Sequence, residues 1–130
     1  MNTATSITRF IYTDVDGLVV NPKPISISVP YTTSLIGALQ VQPGTAAGTE
    51  IDLPMLGINQ DATYIQIQNE TGQELNMAWG GNWEFHLAPG GIFVRSNPAP
   101  VLAGSITAWR FLLTQTQVAL GAIIFHVLGS

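Results

Sequence analysis

Two histidines and eight carboxylates are all that this 130-residue chain offers for general acid–base or metal chemistry, and it has no cysteine. Disulfides, thiolate metal sites and cysteine nucleophiles are therefore excluded. Glu84 and His86 stand two residues apart and share one face of an expected strand; with His126 they would form a two-histidine, one-carboxylate metal set. The same alternation gives Trp83, Phe85 and Leu87 the core face, which leaves Glu84 and His86 as an outward surface pair. His126 lies in an apolar C-terminal run and reads as a core or interface histidine. Asp14-Val15-Asp16-Gly17 begins like a calcium loop, but Leu18-Val19-Val20 follow where further oxygen ligands are needed, so it reads as an Asp-Gly turn. No spacing selects a carboxylate pair for glycoside hydrolysis. There is no Gly-x-Ser-x-Gly, no phosphate-binding loop and no His-Glu-x-x-His. The expectation is a protein that is not an enzyme, with no catalytic residue, no cofactor and no metal.

Aromatic side chains offer a different kind of site. Trp79 and Trp83 flank Gly80-Gly81-Asn82 and would form a small patch at a loop tip, where indole faces stack on sugars; with Trp109 they motivate a carbohydrate-binding alternative. The competing expectation is packing, since tryptophan contributes a large apolar area. Asn69-Glu70-Thr71 matches a glycosylation sequon but reads as part of a turn.

The elements that must position these residues have a period of two. Ile25–Val29, Tyr64–Gln68 and Trp83–Leu87 alternate apolar and polar residues, the pattern of half-buried strands. Asp16-Gly17, Thr71-Gly72, Gly80-Gly81-Asn82 and Pro89-Gly90-Gly91 separate such runs, and glycine supplies the positive φ that tight turns require. The stretch from Tyr64 to Ser96 reads as a four-strand meander, broken by Asn97-Pro98-Ala99-Pro100. Two longer strands are expected at Gly104–Thr114 and Val118–Leu128. Thr33–Val41 is the one segment that reads as a short helix, weakened by Gly37 and the flanking prolines. Gln42–Leu56, rich in Gly, Ala, Thr and Pro, reads as a long loop or arm. Nine or ten short strands in one domain of residues 1–130 predict an all-β fold, a single-domain antiparallel β-sandwich or jelly-roll-like barrel.

Composition narrows the function classes. Charged residues make up 9% of the chain, against roughly 25% in an ordinary soluble domain. The net charge is −4 and the four cations are scattered, which argues against nucleic-acid binding. From Leu87 to Ser130 the only Lys, Arg, Asp or Glu residues are Arg95 and Arg110. The longest apolar run, Val118–Phe125, is too short for a helical bilayer span, and no membrane association is expected. Met1–Phe10 lacks the apolar core of an export signal, so synthesis in the cytoplasm is expected. The Val118–Phe125 run does not alternate, and a strand that is apolar on both faces must be covered on both. Val118, Leu120, Ile123, Ile124 and Phe125 are therefore the expected packing or interface residues.

The Tyr64–Ser130 half resembles small virion proteins of tailed bacteriophages. The resemblance is carried by the Ile65–Asn69 strand, the Thr-Gly turn, Trp79-Gly80-Gly81 with Trp83, the Leu87–Gly91 turn, the proline-containing break, and the strand pair with Gly104-Ser105-Ile106. It implies a β-sandwich that decorates a capsid or belongs to a tail or connector. The expected partners are other virion proteins, either the major capsid protein or tail and connector subunits. The expected state is a homo-oligomer, a trimer being one form, located in the virion after synthesis in the host cytoplasm.

Overall fold

A computed structural model describes residues 2–9, 12–13, 17, 19–20, 23–53, 62–79, 83, 85–96 and 109–129. These residues form twelve strands and no helix: β1 (Asn2–Thr8), β2 (Tyr12–Thr13), β3 (Val19–Val20), β4 (Ile25–Tyr31), β5 (Thr33–Val41), β6 (Glu50–Asp52), β7 (Tyr64–Glu70), β8 (Leu75–Trp79), β9 (Phe85–Leu87), β10 (Ile92–Ser96), β11 (Trp109–Leu113) and β12 (Gly121–Gly129). Every pairing is antiparallel. Two four-stranded sheets, ordered β10-β7-β12-β5 and β6-β11-β8-β9, pack face to face as a β-sandwich; β1-β4 and β2-β3 form two-stranded ribbons. The all-β expectation holds.

The core lies between the four-stranded sheets. Val41, Ile65, Ile67, Ile123, Phe125 and Val127 come from one sheet, and Leu75, Met77, Leu87, Phe111 and Leu113 from the other. Alternation produces this directly. In β7 the residues Ile65, Ile67 and Asn69 are buried while Tyr64, Gln66 and Gln68 face outward.

Three expectations change. Thr33–Val41 is a strand, not a helix. Its residues alternate in exposure along all nine positions, and it pairs along its full length with β12. At its centre Gly37 lies under Phe125: a Cβ there would come within 2.9 Å of the phenyl ring. The glycine that weakened a helix thus leaves room for the Phe125 ring packed over it. Gln42–Leu56 is not loop throughout. Residues 42–49 turn twice, at Gly44 and Gly48 with φ of 88° and 83°, and Glu50–Asp52 then adds the edge strand β6 to β11. The first part is tied down by bonds from Gly44 N–H to Gln117 O and from Gly48 N–H to Leu113 O, each 2.8 Å. Residues 54–56 lie outside the described residues.

The third change concerns the meander. Its four strands exist, but β7 and β10 belong to one sheet while β8 and β9 belong to the other. The chain crosses between sheets at Thr71–Glu74 and returns at Ala88–Gly91. Asn69 pins both corners. Its Nδ2 donates to the carbonyls of Gln73 and Leu87 at 2.7 and 2.9 Å, and its Oδ1 accepts from the Thr71 N–H and hydroxyl at 3.0 and 2.6 Å. A fully buried amide with its donors and acceptor engaged in this way fixes the corner. The Asn69 side chain is thereby closed to glycan attachment. The expected turn at Gly80-Gly81-Asn82, the Asn97–Pro100 break and the Gly104–Ala108 segment lie outside the described residues.

Candidate interaction surface

The residues predicted for packing separate into three environments. Ile123 and Phe125 are core residues, buried against the facing sheet. Ile124 points the other way and keeps 38% of its surface. Val118 and Leu120 are not in the last strand, which starts at Gly121; they sit in the preceding loop and are 90% and 60% exposed. A buried amide network holds the residues that precede the strand. Gln117 Nε2 donates to Thr71 O and Ala119 O at 2.6 and 2.8 Å, and Gln73 Nε2 donates to Gln117 Oε1 at 2.7 Å. Gln73 Oε1 in turn accepts from the Thr114 and Gln115 N–H groups at 3.0 and 2.8 Å. These bonds tie the loop to its neighbours, with Val118 and Leu120 outward.

The doubly apolar character of β12 has a structural reason. The strand is central, between β5 and β7, so its inner face makes the core. Near its end the outer face is covered by the β1-β4 ribbon. Ala4, Ser6 and Val29 of the ribbon line a cleft of about 370 Å³ with Tyr64, His126 and Leu128 of the sheet. Val29 and Leu128 are both buried. The Thr63 hydroxyl donates to Pro30 O at 2.7 Å and the Thr63 N–H to Leu128 O at 2.8 Å, tying the ribbon to the sheet. Tyr64 meets the His126 ring edge-on at 5.4 Å and donates its hydroxyl to Gln66 Oε1 at 2.6 Å. Burial pushes the Tyr64 phenol above its ordinary value of 10.0, so it stays a neutral donor.

Beyond the ribbon, the outer face of this sheet is open. The register sets its rows across the strands: Ile36–His126–Gln66–Val94, then Ala38–Ile124–Gln68–Ile92, then Gln40–Ala122–Glu70. Ile36 is 73% exposed, Ile92 55% and Val94 47%. Glu70 is the only Asp, Glu, Lys or Arg on this face among the described residues, and it lies at one end, accepting from Gln68 Nε2 at 2.6 Å. Four exposed branched side chains with glutamines between them form a surface whose one carboxylate among the described residues, Glu70, lies at its end. This face escaped the sequence reading, which looked to the last strand alone. Its signal was present in Ile36 and in the alternation of Ile92-Phe93-Val94, but only the strand order brings these residues together.

The other candidates do not converge. His86 lies on β9 in the second sheet, its Nδ1 2.7 Å from Asn76 Oδ1 and 3.2 Å from Glu74 Oε1. His126 lies on β12 in the first sheet, so the two imidazoles are on different sheets. Glu84, Asp14 and Asp16 lie outside the described residues. Trp83 is half-buried, and the Arg110 guanidinium sits 4.9 Å from its ring centroid, occupying one indole face that a sugar would need. The Trp79 backbone ends β8 and pairs with Trp109. Among the described residues no helix is long and apolar enough to cross a membrane.

No protein-family model matches the chain, and neither a curated protein nor a solved structure is detectably similar to it.

Proposed function

We propose that this protein is a structural subunit of a tailed-bacteriophage virion, in its most specific form a capsid decoration or cementing protein, and that it acts by packing its charge-poor sheet face against another virion subunit. The observation that carries the packing mechanism is the open face bearing Ile36, Ile92, Val94 and Ile124, with Glu70 as its one carboxylate. The virion assignment rests on the resemblance of the Tyr64–Ser130 half to small phage structural proteins. Exposed contiguous apolar surface marks interaction sites on soluble domains. Burying such a face releases about 25 cal/mol per Å² of apolar area without the desolvation cost of charged groups.

The partner is expected to be the major capsid protein, and a tail or baseplate role would differ only in partner. Co-sedimentation of the purified protein with empty capsids, and separately with tails, tests this. Saturable binding to capsids supports decoration, and binding to tails alone moves the site to the tail. A protein that stays monomeric in light scattering and sediments with neither contradicts the proposal. Glycan-array binding that is lost on Trp83→Ala, with no binding to any particle component, would replace it with carbohydrate recognition.

A further inference from the structure

We infer that β5 is a self-association edge, and that two copies of this chain pair β5 to β5 across a two-fold axis to make a continuous eight-stranded sheet. The inference rests on the packing reading of the same sheet and names one of its partners as a second copy.

β5 ends its sheet: β12 pairs with it on one side, and no strand among the described residues pairs with it on the other. It is nine residues long, Thr33–Val41, and contains no charge and no proline. Native edge strands are usually shortened, bulged or charged to prevent pairing with another chain. β5 carries none of these protections.

The core is also unfinished along this edge. Ile123, Phe125 and Val127 on the adjacent β12 are buried, while the core-facing Leu35 and Leu39 of β5 are only partly so. A strand added beyond β5 would cover them.

A second copy suits the edge better than an arbitrary strand. Antiparallel self-pairing centred on Gly37 sets Leu35 opposite Leu39 of the second copy on the core side, and Ile36 opposite Ala38 on the outer side. No pair is charged, so nothing repels. Area argues the same way. With strands about 4.8 Å apart and residues about 3.4 Å along, the open sheet face of one copy measures roughly 400 Å² in plan. That is about half of the roughly 800 Å² per partner of a stable interface. Two copies joined along β5 present about twice that area as one platform, with both Ile36 side chains near its middle.

The register makes a charge-swap test. Ile36→Lys combined with Ala38→Lys places lysine opposite lysine at both outer pairs. Ile36→Lys combined with Ala38→Glu places lysine opposite glutamate. All three proteins are followed by sedimentation velocity over a concentration series, with hydrogen exchange of the Leu35–Leu39 amides and circular dichroism as a folding check. The expected result is a wild-type dimer, a dissociation constant raised about tenfold or more in the double-lysine variant, and recovery in the lysine–glutamate variant. Because the rescued variant carries two charges on the same strand, its recovery separates lost pairing from lost folding. A wild type that is monomeric, with or without protected β5 amides, overturns the inference. So does an oligomer that both variants leave intact, and that outcome leaves the packing reading standing. Loss of association in both variants, each folded, overturns the Gly37-centred register.

Discussion

Asn69 does more for this fold than any motif that suggested chemistry. It reads as a sequon position, yet its amide closes the two corners through which the chain changes sheets. Asn69→Ala leaves two buried carbonyls and the Thr71 N–H without that partner, and unfolding in urea is expected to show a loss of about 3 kcal/mol or more. Asn69→Asp replaces the donor with a buried carboxylate facing carbonyl oxygens. Those neighbours and burial raise its pKa in the fold, so the neutral form is favoured. The variant's stability should therefore decline as pH rises above about 4 toward the raised pKa and be recovered in full as pH falls back to about 4, which unfolding midpoints measured against pH will check. Gly121 is equally constrained, since a Cβ there would lie 2.7 Å from Thr71 Cα and 2.8 Å from Gln117 Nε2. Gly121→Ala is expected to cost about 2 kcal/mol through the forced shift of that corner. None of this was legible in the residues alone. Asn, Gln and Gly are common in surface turns, and only contacts between distant segments give these three their roles.

At the level of elements, the sequence revealed where strands lie more readily than how they pair. Alternation marked β4 and β7 because one face of each meets apolar neighbours and the other meets solvent or polar groups. It failed at β5, where Gly37 breaks the apolar series on the core face and Ile36 sits on the outer face. It also failed at Val118–Leu120, where the apolar run continues backward from β12 into a loop fixed by Gln117. The meander was wrong in pairing because a sheet-crossing corner and a hairpin use the same Thr-Gly and Pro-Gly chemistry. The β1-β4 ribbon is a two-stranded element that needs its contact with β12 and β7 to persist, since isolated ribbons are marginal in water. Val29 makes that contact and is almost fully buried. Val29→Ala is expected to cost about 1–2 kcal/mol and to speed hydrogen exchange in β1 and β4 while β7 and β12 stay protected.

Across the whole molecule, scarcity of charge and the open sheet face belong together. A domain with 9% charged residues that leaves four branched side chains exposed on one flat face gains stability in water by covering that face. Association through it should depend little on ionic strength, because no ion pair is made there to be screened. This distinguishes it from binding through Arg110 and Glu50, whose 3.3 Å contact lies on the other sheet. The most direct test of the packing account is a capsid-binding titration comparing the wild type with an Ile92→Lys, Ile124→Lys variant, whose substitutions lie on the outer face and leave the β5 edge intact. The account predicts saturable, salt-insensitive binding by the wild type and its loss in a variant that keeps the wild-type β-sheet spectrum. Undiminished binding by the folded variant, or no binding by the wild type at any salt concentration, would contradict it.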